Sequence, residues 1–118
     1  MYCLDTDVLS AVIQREPPLA LVRRLARIPP VEQATTAITL GELLYGAARR
    51  RSERLTERVR DVITMAGIVL PFDRRAAEVY GPLRAQLEGE GKPLAEADLR
   101  IASIALARGC LLYTSDAA

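Results

Sequence analysis

Four acidic residues, Asp5, Glu42, Asp98 and Asp116, each stand where an apolar strand-like run ends or a helical pattern begins. In an α/β sheet, positions just beyond the carboxyl ends of the strands converge on one crevice, so carboxylates scattered along the chain can meet there. Mg2+ and Mn2+ take oxygen ligands, and Mg2+ keeps several waters, so two or three carboxylates with open positions suit phosphate chemistry. A bound ion lowers the pKa of a water, holds the attacking hydroxide and neutralises charge on the phosphate. Thr6 or Ser10 stands near enough in sequence to orient that water. The chain contains no histidine, which removes imidazole from both acid–base chemistry and metal ligation. Carboxylates must do most of any catalysis.

Each acid also has a purely structural reading. Asp5 and Asp7 both precede a helical pattern, where a side-chain oxygen satisfies an orphan backbone N–H and the negative charge favours the positive end of the helix dipole. One helix needs one cap, and Asp7 is the better candidate for it, leaving Asp5 for the site. Thr39-x-x-Glu42 has the spacing of a capping box, in which the glutamate reaches back to the threonine N–H. Asp98 follows Glu96 by two residues, so the two point to different helix faces. Glu96 is placed to pair with Arg100 at i,i+4, which leaves Asp98 as the site residue. Asp116 reads locally as part of a solvated tail. No acid is decisive alone; the inference rests on their joint placement.

The elements that must position them follow from periodicity and punctuation. Residues 1–4 form a short strand, followed by a helix with Val8, Leu9, Val12 and Ile13 on one face. Pro17 and Pro18 open a second helix with Leu21, Val22, Leu25 and Ile28 inward, and Pro29-Pro30 stops it. Residues 33–38 read as a second strand, and a helix carrying Leu40, Leu43, Leu44 and Ala47 starts at Thr39. Ser52 caps the next helix, which buries Leu55, Val59, Val62 and Ile63 and ends at Gly67. Residues 68–72 form a third strand. Asp73 caps a helix bearing Ala76, Ala77, Tyr80, Leu83 and Leu87, with a kink expected at Gly81-Pro82. Residues 89–93 form a loop, residues 94–108 a further helix ended by Gly109, and residues 110–114 a fourth strand. Strands alternating with helices imply an α/β fold: a three-layer sandwich with a mainly parallel sheet and helices on both faces.

Composition bounds the remaining possibilities. With 118 residues the chain suits one domain, residues 1–118, and it shows neither repeats nor a linker. No apolar run approaches the roughly 20 residues of a membrane span, and no basic segment leads a secretory hydrophobic stretch, so a cytoplasmic protein without a membrane partner is expected. Cys3 and Cys110 lie in apolar strand-like contexts and read as buried free thiols. The net charge is only +1, so whole-molecule attraction to nucleic acid is weak. Of 16 basic residues all but Lys92 are arginine. Arg50, Arg51 and Arg54 belong to the densest cluster, a candidate for phosphate contact, although charged helix faces are common and a GC-rich genome also inflates arginine.

Three segments carry a resemblance. Leu4-Asp5-Thr6-Asp7-Val8-Leu9-Ser10, then Ala37-Ile38-Thr39-Leu40-Gly41-Glu42-Leu43-Leu44-Tyr45-Gly46, then Asp98-Leu99-Arg100-Ile101-Ala102 ahead of Gly109 and the strand at 111–114 resemble the PIN domain of VapC-type toxins. The similarity covers nearly the whole chain in order; each motif alone is weak and the ordered set is strong. The resemblance implies a PIN-like fold and a divalent-metal-dependent endoribonuclease using Mg2+ or Mn2+. It also implies inhibition by a cognate antitoxin and a homodimer. It carries metal-binding and catalytic roles onto Asp5, Glu42 and Asp98, and onto Asp116 after the strand-ending Thr114. Thr6, Asp7, Ser10 and Thr114 would support them, and Arg50, Arg51 and Arg54 would contact RNA.

The tail departs from the family pattern. Family members continue past this threonine to a last strand, whereas this chain ends at Ala117-Ala118, so that strand is expected to be missing and Asp116 to contribute less than Asp98. Two other functions compete with the ribonuclease. One is a catalytically inactive PIN scaffold that only binds an antitoxin. The other is a phosphoacceptor signalling domain in which Asp5 and Asp7 hold Mg2+ and Asp73 takes the phosphoryl group, which leaves Glu42 and Asp98 unexplained and lacks a suitably placed lysine.

Overall fold

The computed structural model describes residues 1–113. In chain order the elements are β1 (Tyr2–Leu4), α1 (Thr6–Val12), α2 (Leu19–Ala26), a 3-10 turn (Pro30–Glu32), β2 (Gln33–Thr36), α3 (Ala37–Arg49), α4 (Glu53–Ala66), β3 (Ile68–Leu70), α5 (Arg74–Gly89), α6 (Glu96–Ala107) and β4 (Leu111–Tyr113). The four strands form a parallel sheet in the order β3-β2-β1-β4. The register sets Tyr2 against both Gln33 and Leu111, and Thr36 against Leu70. Because the chain moves from β1 to β2 on one side and later returns to place β4 on the other, the order reverses at β1. The crevice past the carboxyl ends of β1 and β4 is therefore the place where a ligand is expected in such a sheet.

Successive strand residues face opposite ways, and the two apolar clusters divide accordingly. Leu4 and Val69 face a cluster with Val8, Leu9, Leu21, Leu43 and Val59, contributed by α1 to α4. Ala34 and Leu70 face the other, with Ala76 and Ile104 from α5 and α6. Helices thus cover both faces, as the alternating pattern implied. Val8 and Leu9 are essentially inaccessible, each worth about 1.5–3 kcal/mol on burial. They fix the start of α1 against the sheet, and with it the residue at the end of β1.

Local chemistry sets most boundaries. The Ser52 hydroxyl accepts from the Leu55 N–H and Asp73 from the Ala76 N–H, so both expected caps are in place. Gly67 and Gly109 end their helices at φ of 81° and 65°, backbone that disfavours a side chain. Several expectations need correction. The strand β2 stops at Thr36 rather than 38, because the Thr36 hydroxyl accepts from the Thr39 N–H and starts α3 at Ala37. The strand β3 stops at Leu70, and α6 begins at Glu96. Val22 and Ala77, expected inward, are exposed, and Cys110 is half-buried while Cys3 is fully buried. Pro82, by contrast, lies inside the helical pattern as expected, within α5 from Arg74 to Gly89. It loses one backbone bond there, and the extensive packing of α5 on α6 holds the helix together.

Candidate active site

Asp5 is the first residue past β1 and is held from three directions. Its Oδ1 accepts from the Val8 N–H at 2.9 Å, so Asp5, and not Asp7, caps α1. β1 ends at Leu4 as expected, and the helix follows at once, starting at Thr6, which leaves Asp7 in the first turn, exposed. The Asp5 N–H donates to the Tyr113 carbonyl at 3.2 Å, tying it to the end of β4. The buried Thr35 hydroxyl donates to the preceding carbonyl, that of Leu4, at 3.0 Å. The Val8 N–H holds Oδ1, and the Asp7 N–H adds a weaker contribution to the same carboxylate.

The electrostatics of Asp5 run against those of a structural acid. Burial raises its pKa above the usual carboxylate value, the Val8 N–H opposes that, and the carboxylates of Asp7 and Asp98 push it up further. Asp98, in the first turn of α6, is thus brought within electrostatic reach of Asp5. Three residues into α6, it sits where the helix dipole favours negative charge.

Glu42 arrives by another route. Its Oε1 accepts from the Thr6 hydroxyl at 2.9 Å, which places it beside the residue next to Asp5. The capping-box reading does not hold, because Thr36 is the cap of α3 and Thr39 lies inside the helix, its N–H already given to Thr36. Glu42 is therefore free of a capping role. The same hydrogen bond makes Thr6 a partner of that carboxylate: its one proton goes to Glu42, and its oxygen retains lone pairs that can accept. Ser10 is half-buried in α1, and its carbonyl accepts from the Gln14 amide.

Among the described residues no ion pair engages Asp5, Glu42 or Asp98; the ion pairs there are made by Arg74, Arg84, Arg100 and Arg108 with other acids. Nor, among those residues, do three acidic, histidine or cysteine side chains stand close enough together to hold an ion. Asp5 and Asp98 interact, and Glu42 approaches through Thr6. The donors are oxygen only, the ligand type that Mg2+ and Mn2+ take, and among the described residues none of them is in an ion pair. Asp116 and Thr114 lie outside the described residues.

Other acids are committed. Glu96 pairs with Arg100 as its spacing implied, at 2.8 Å, and also accepts from the Tyr80 hydroxyl; these bonds, the tyrosine's foremost, hold its pKa below the usual range. Asp73 caps α5 and pairs with Arg108, and the Ala76 N–H leads the causes that lower its pKa. It follows β3, which β2 separates from β1, so it does not share the β1 crevice as the phosphoacceptor reading needs. Arg50, Arg51 and Arg54 are exposed at the α3–α4 corner, about 12 Å along the helix axis beyond Glu42. They do not join the carboxylates.

Sequence reasoning passed over two features. Thr35, Thr36 and Thr39 are completely buried, and the only local signal for them was hydroxyl residues where a buried strand should be apolar. A groove of about 340 Å³ between α1, α2 and α4 is lined by Leu9, Val12, Val22, Leu25 and Met65; Val22 and Met65 are among the exposed large apolar residues.

Comparison with known proteins fits this fold. A PIN domain family model matches residues 2–118. The VapC ribonuclease Y4jK of Sinorhizobium fredii is 34% identical, over 98% of this chain and 87% of its own length. The structure of VapBC2 from Rickettsia felis bound to a DNA fragment from their promoter superposes with a TM-score of 0.86 at 27% identity, over 98% of this chain and 86% of the other. VapBC-5 from Mycobacterium tuberculosis, of the VapBC family of toxin-antitoxin systems, superposes at 0.68 with 27% identity, over 97% of this chain and 83% of the other.

Proposed function

Since the chain belongs to the PIN-domain family of VapC-type proteins, we propose that it is an endoribonuclease toxin that depends on Mg2+ or Mn2+ and acts in the cytoplasm. The single observation that supports this most is the placement of Asp5: it follows β1, where the strand order reverses, and Glu42 meets its neighbour Thr6 at 2.9 Å; burial first, and then the carboxylates of Asp7 and Asp98, raise its pKa. A fold that gathers acidic charge without a cation partner gives up stability there, and a divalent ion relieves the repulsion.

Asp5, Glu42 and Asp98 would hold the ion once drawn together, since no three of the described acids stand close enough in the metal-free arrangement, with Asp116 as a fourth candidate. The chemistry supplied there is neutralisation of phosphate charge and a lowered pKa for water. The rest is done by the chain. The Val8 N–H on Oδ1 fixes the orientation of the Asp5 carboxylate past the end of β1. The Thr6 hydroxyl orients Glu42 through Oε1 and leaves Oε2 for the ion. The arginines at the α3–α4 corner would bind RNA backbone away from the reacting phosphate, in a positioning role. The groove between α1, α2 and α4 suits an apolar segment of an antitoxin, and a homodimer is the expected assembly.

Purified protein stripped of metal and reconstituted with Mg2+ or Mn2+ should cleave RNA internally, and chelation should stop it. Asp5→Asn, which keeps the cap because asparagine serves equally well there, should not cleave. Cleavage by that variant at the wild-type rate overturns the assignment.

A further inference from the structure

Thr36 and Thr39, completely buried where β2 passes into α3, have no packing reason to be threonine. Valine has nearly the same shape and carries no hydroxyl to satisfy, and an unsatisfied hydroxyl in a core is costly. Their hydroxyls are instead linked. Thr36 Oγ1 accepts from the Thr39 N–H at 3.0 Å and donates to Thr39 Oγ1 at 3.1 Å. Thr39 Oγ1 lies 3.4 Å from Thr6 Oγ1, and Thr6 donates to Glu42 Oε1 at 2.9 Å. One hydroxyl has one proton. With the Thr6 proton on the carboxylate, the Thr6 oxygen can accept from Thr39, and Thr39 from Thr36, so the three protons run in one direction and end on Glu42. Such chains polarise each member, and the last bond, to a charged acceptor, is the strongest.

We propose that Thr36 and Thr39 are positioning residues for Glu42, acting through Thr6: a buried hydroxyl chain that fixes the carboxylate of an otherwise exposed glutamate in one orientation. The inference rests on the metal-dependent reading of the site for its consequence, and on hydrogen bonding alone for its geometry. Glu42 is exposed and has no ion-pair partner among the described residues, so without the chain little would hold its rotamer. Thr6 connects the two acids covalently and by hydrogen bond. It follows Asp5 directly and touches Glu42, so the chain sets the position of one ligand relative to the other.

The test compares Thr39→Val, which keeps shape and removes the hydroxyl, with Thr39→Ser, which keeps the hydroxyl. Thr6→Val serves as a second variant should Thr39→Val not fold. Two readouts are taken on the full chain: Mn2+ affinity by calorimetric titration, and Glu42 side-chain three-bond couplings by NMR in metal-free protein. Thr39→Val or Thr6→Val should weaken Mn2+ binding about tenfold or more and turn single-rotamer Glu42 couplings into averaged ones, while Thr39→Ser behaves as wild type in both. Equal Mn2+ losses in Thr39→Val and Thr39→Ser overturn the proposal, because packing and not the hydroxyl would be responsible. If wild type binds no Mn2+, the metal reading fails, and the couplings alone decide: averaging in Thr39→Val sustains the chain, and unchanged couplings overturn it.

Discussion

Two groups of acids in this molecule have opposite electrostatics. At the α5–α6 hairpin, Asp73 and Glu96 each have an arginine and a hydrogen-bond donor, and their pKa values are lowered. Past the end of β1, Asp5 is partly desolvated beside Asp7 and Asp98, and its pKa is raised. The first arrangement favours the ionised folded state; the second works against it. Acidic side chains of one type thus serve to fasten helices in one place and to accumulate unbalanced charge in another, and the second is what a cation site requires.

Asp5→Asn is expected to separate the two regions most sharply, lowering metal-dependent RNA cleavage by more than about 100-fold with circular dichroism unchanged. Retained cleavage would put the unbalanced acids in the same structural class as Asp73. Glu42→Gln comes next. It should reduce cleavage about tenfold or more with an unchanged melting temperature, since glutamine still accepts from Thr6; a lowered melting temperature with full activity would make Glu42 structural. Reversing Arg50, Arg51 and Arg54 together should weaken RNA binding severalfold and flatten its salt dependence by about 0.7 in slope for each phosphate that is no longer neutralised. Binding curves that overlay wild type across a salt series would return these arginines to a solvated face.

The smallest effects are on stability, and their signs differ between the regions. Asp5 is ionised less readily folded than unfolded, so its contribution is favourable below its ordinary value of 3.8 and is lost as pH rises through its higher folded value. Metal-free Asp5→Asn should therefore melt above wild type at neutral pH. Asp73 behaves in reverse: its contribution is present above 3.8 and disappears as pH falls through its lower folded value. Asp73→Asn should melt below wild type at neutral pH, and the two curves should converge in acid. Thermal melts between pH 3 and 7 check both signs.

Much of the fold was readable from local pattern. Ser52, Gly67, Asp73 and Gly109 punctuate the chain by backbone chemistry that needs no tertiary context, and the strand–helix alternation implies the parallel sheet. The two misplaced caps had competing residues two or three positions apart: Asp5 with Asp7, and Thr36 with Thr39. For Asp5 the strand end was legible, and the start of the helix directly at Thr6 was not; for Thr36 the choice depends on where β2 stops, which is fixed by pairing with distant strands. The hydrogen bonding of Glu42 was unreadable for the same reason, since Thr6 and Thr39 reach one another only after β1 and β2 lie side by side. Likewise, the charge pairing that sets Asp73 apart from Asp5 joins α5 to Arg108, well along the chain.

The central claim is that the unbalanced acids past β1, and not the balanced ones, hold a divalent cation. Calorimetric titration of Mn2+ into wild type, Asp5→Asn, Asp98→Asn and Asp73→Asn tests it directly. Asp5→Asn and Asp98→Asn should each weaken binding by about tenfold or more, while Asp73→Asn should bind as wild type does. Wild-type affinity in both Asp5→Asn and Asp98→Asn, or an equal loss in Asp73→Asn, would contradict it.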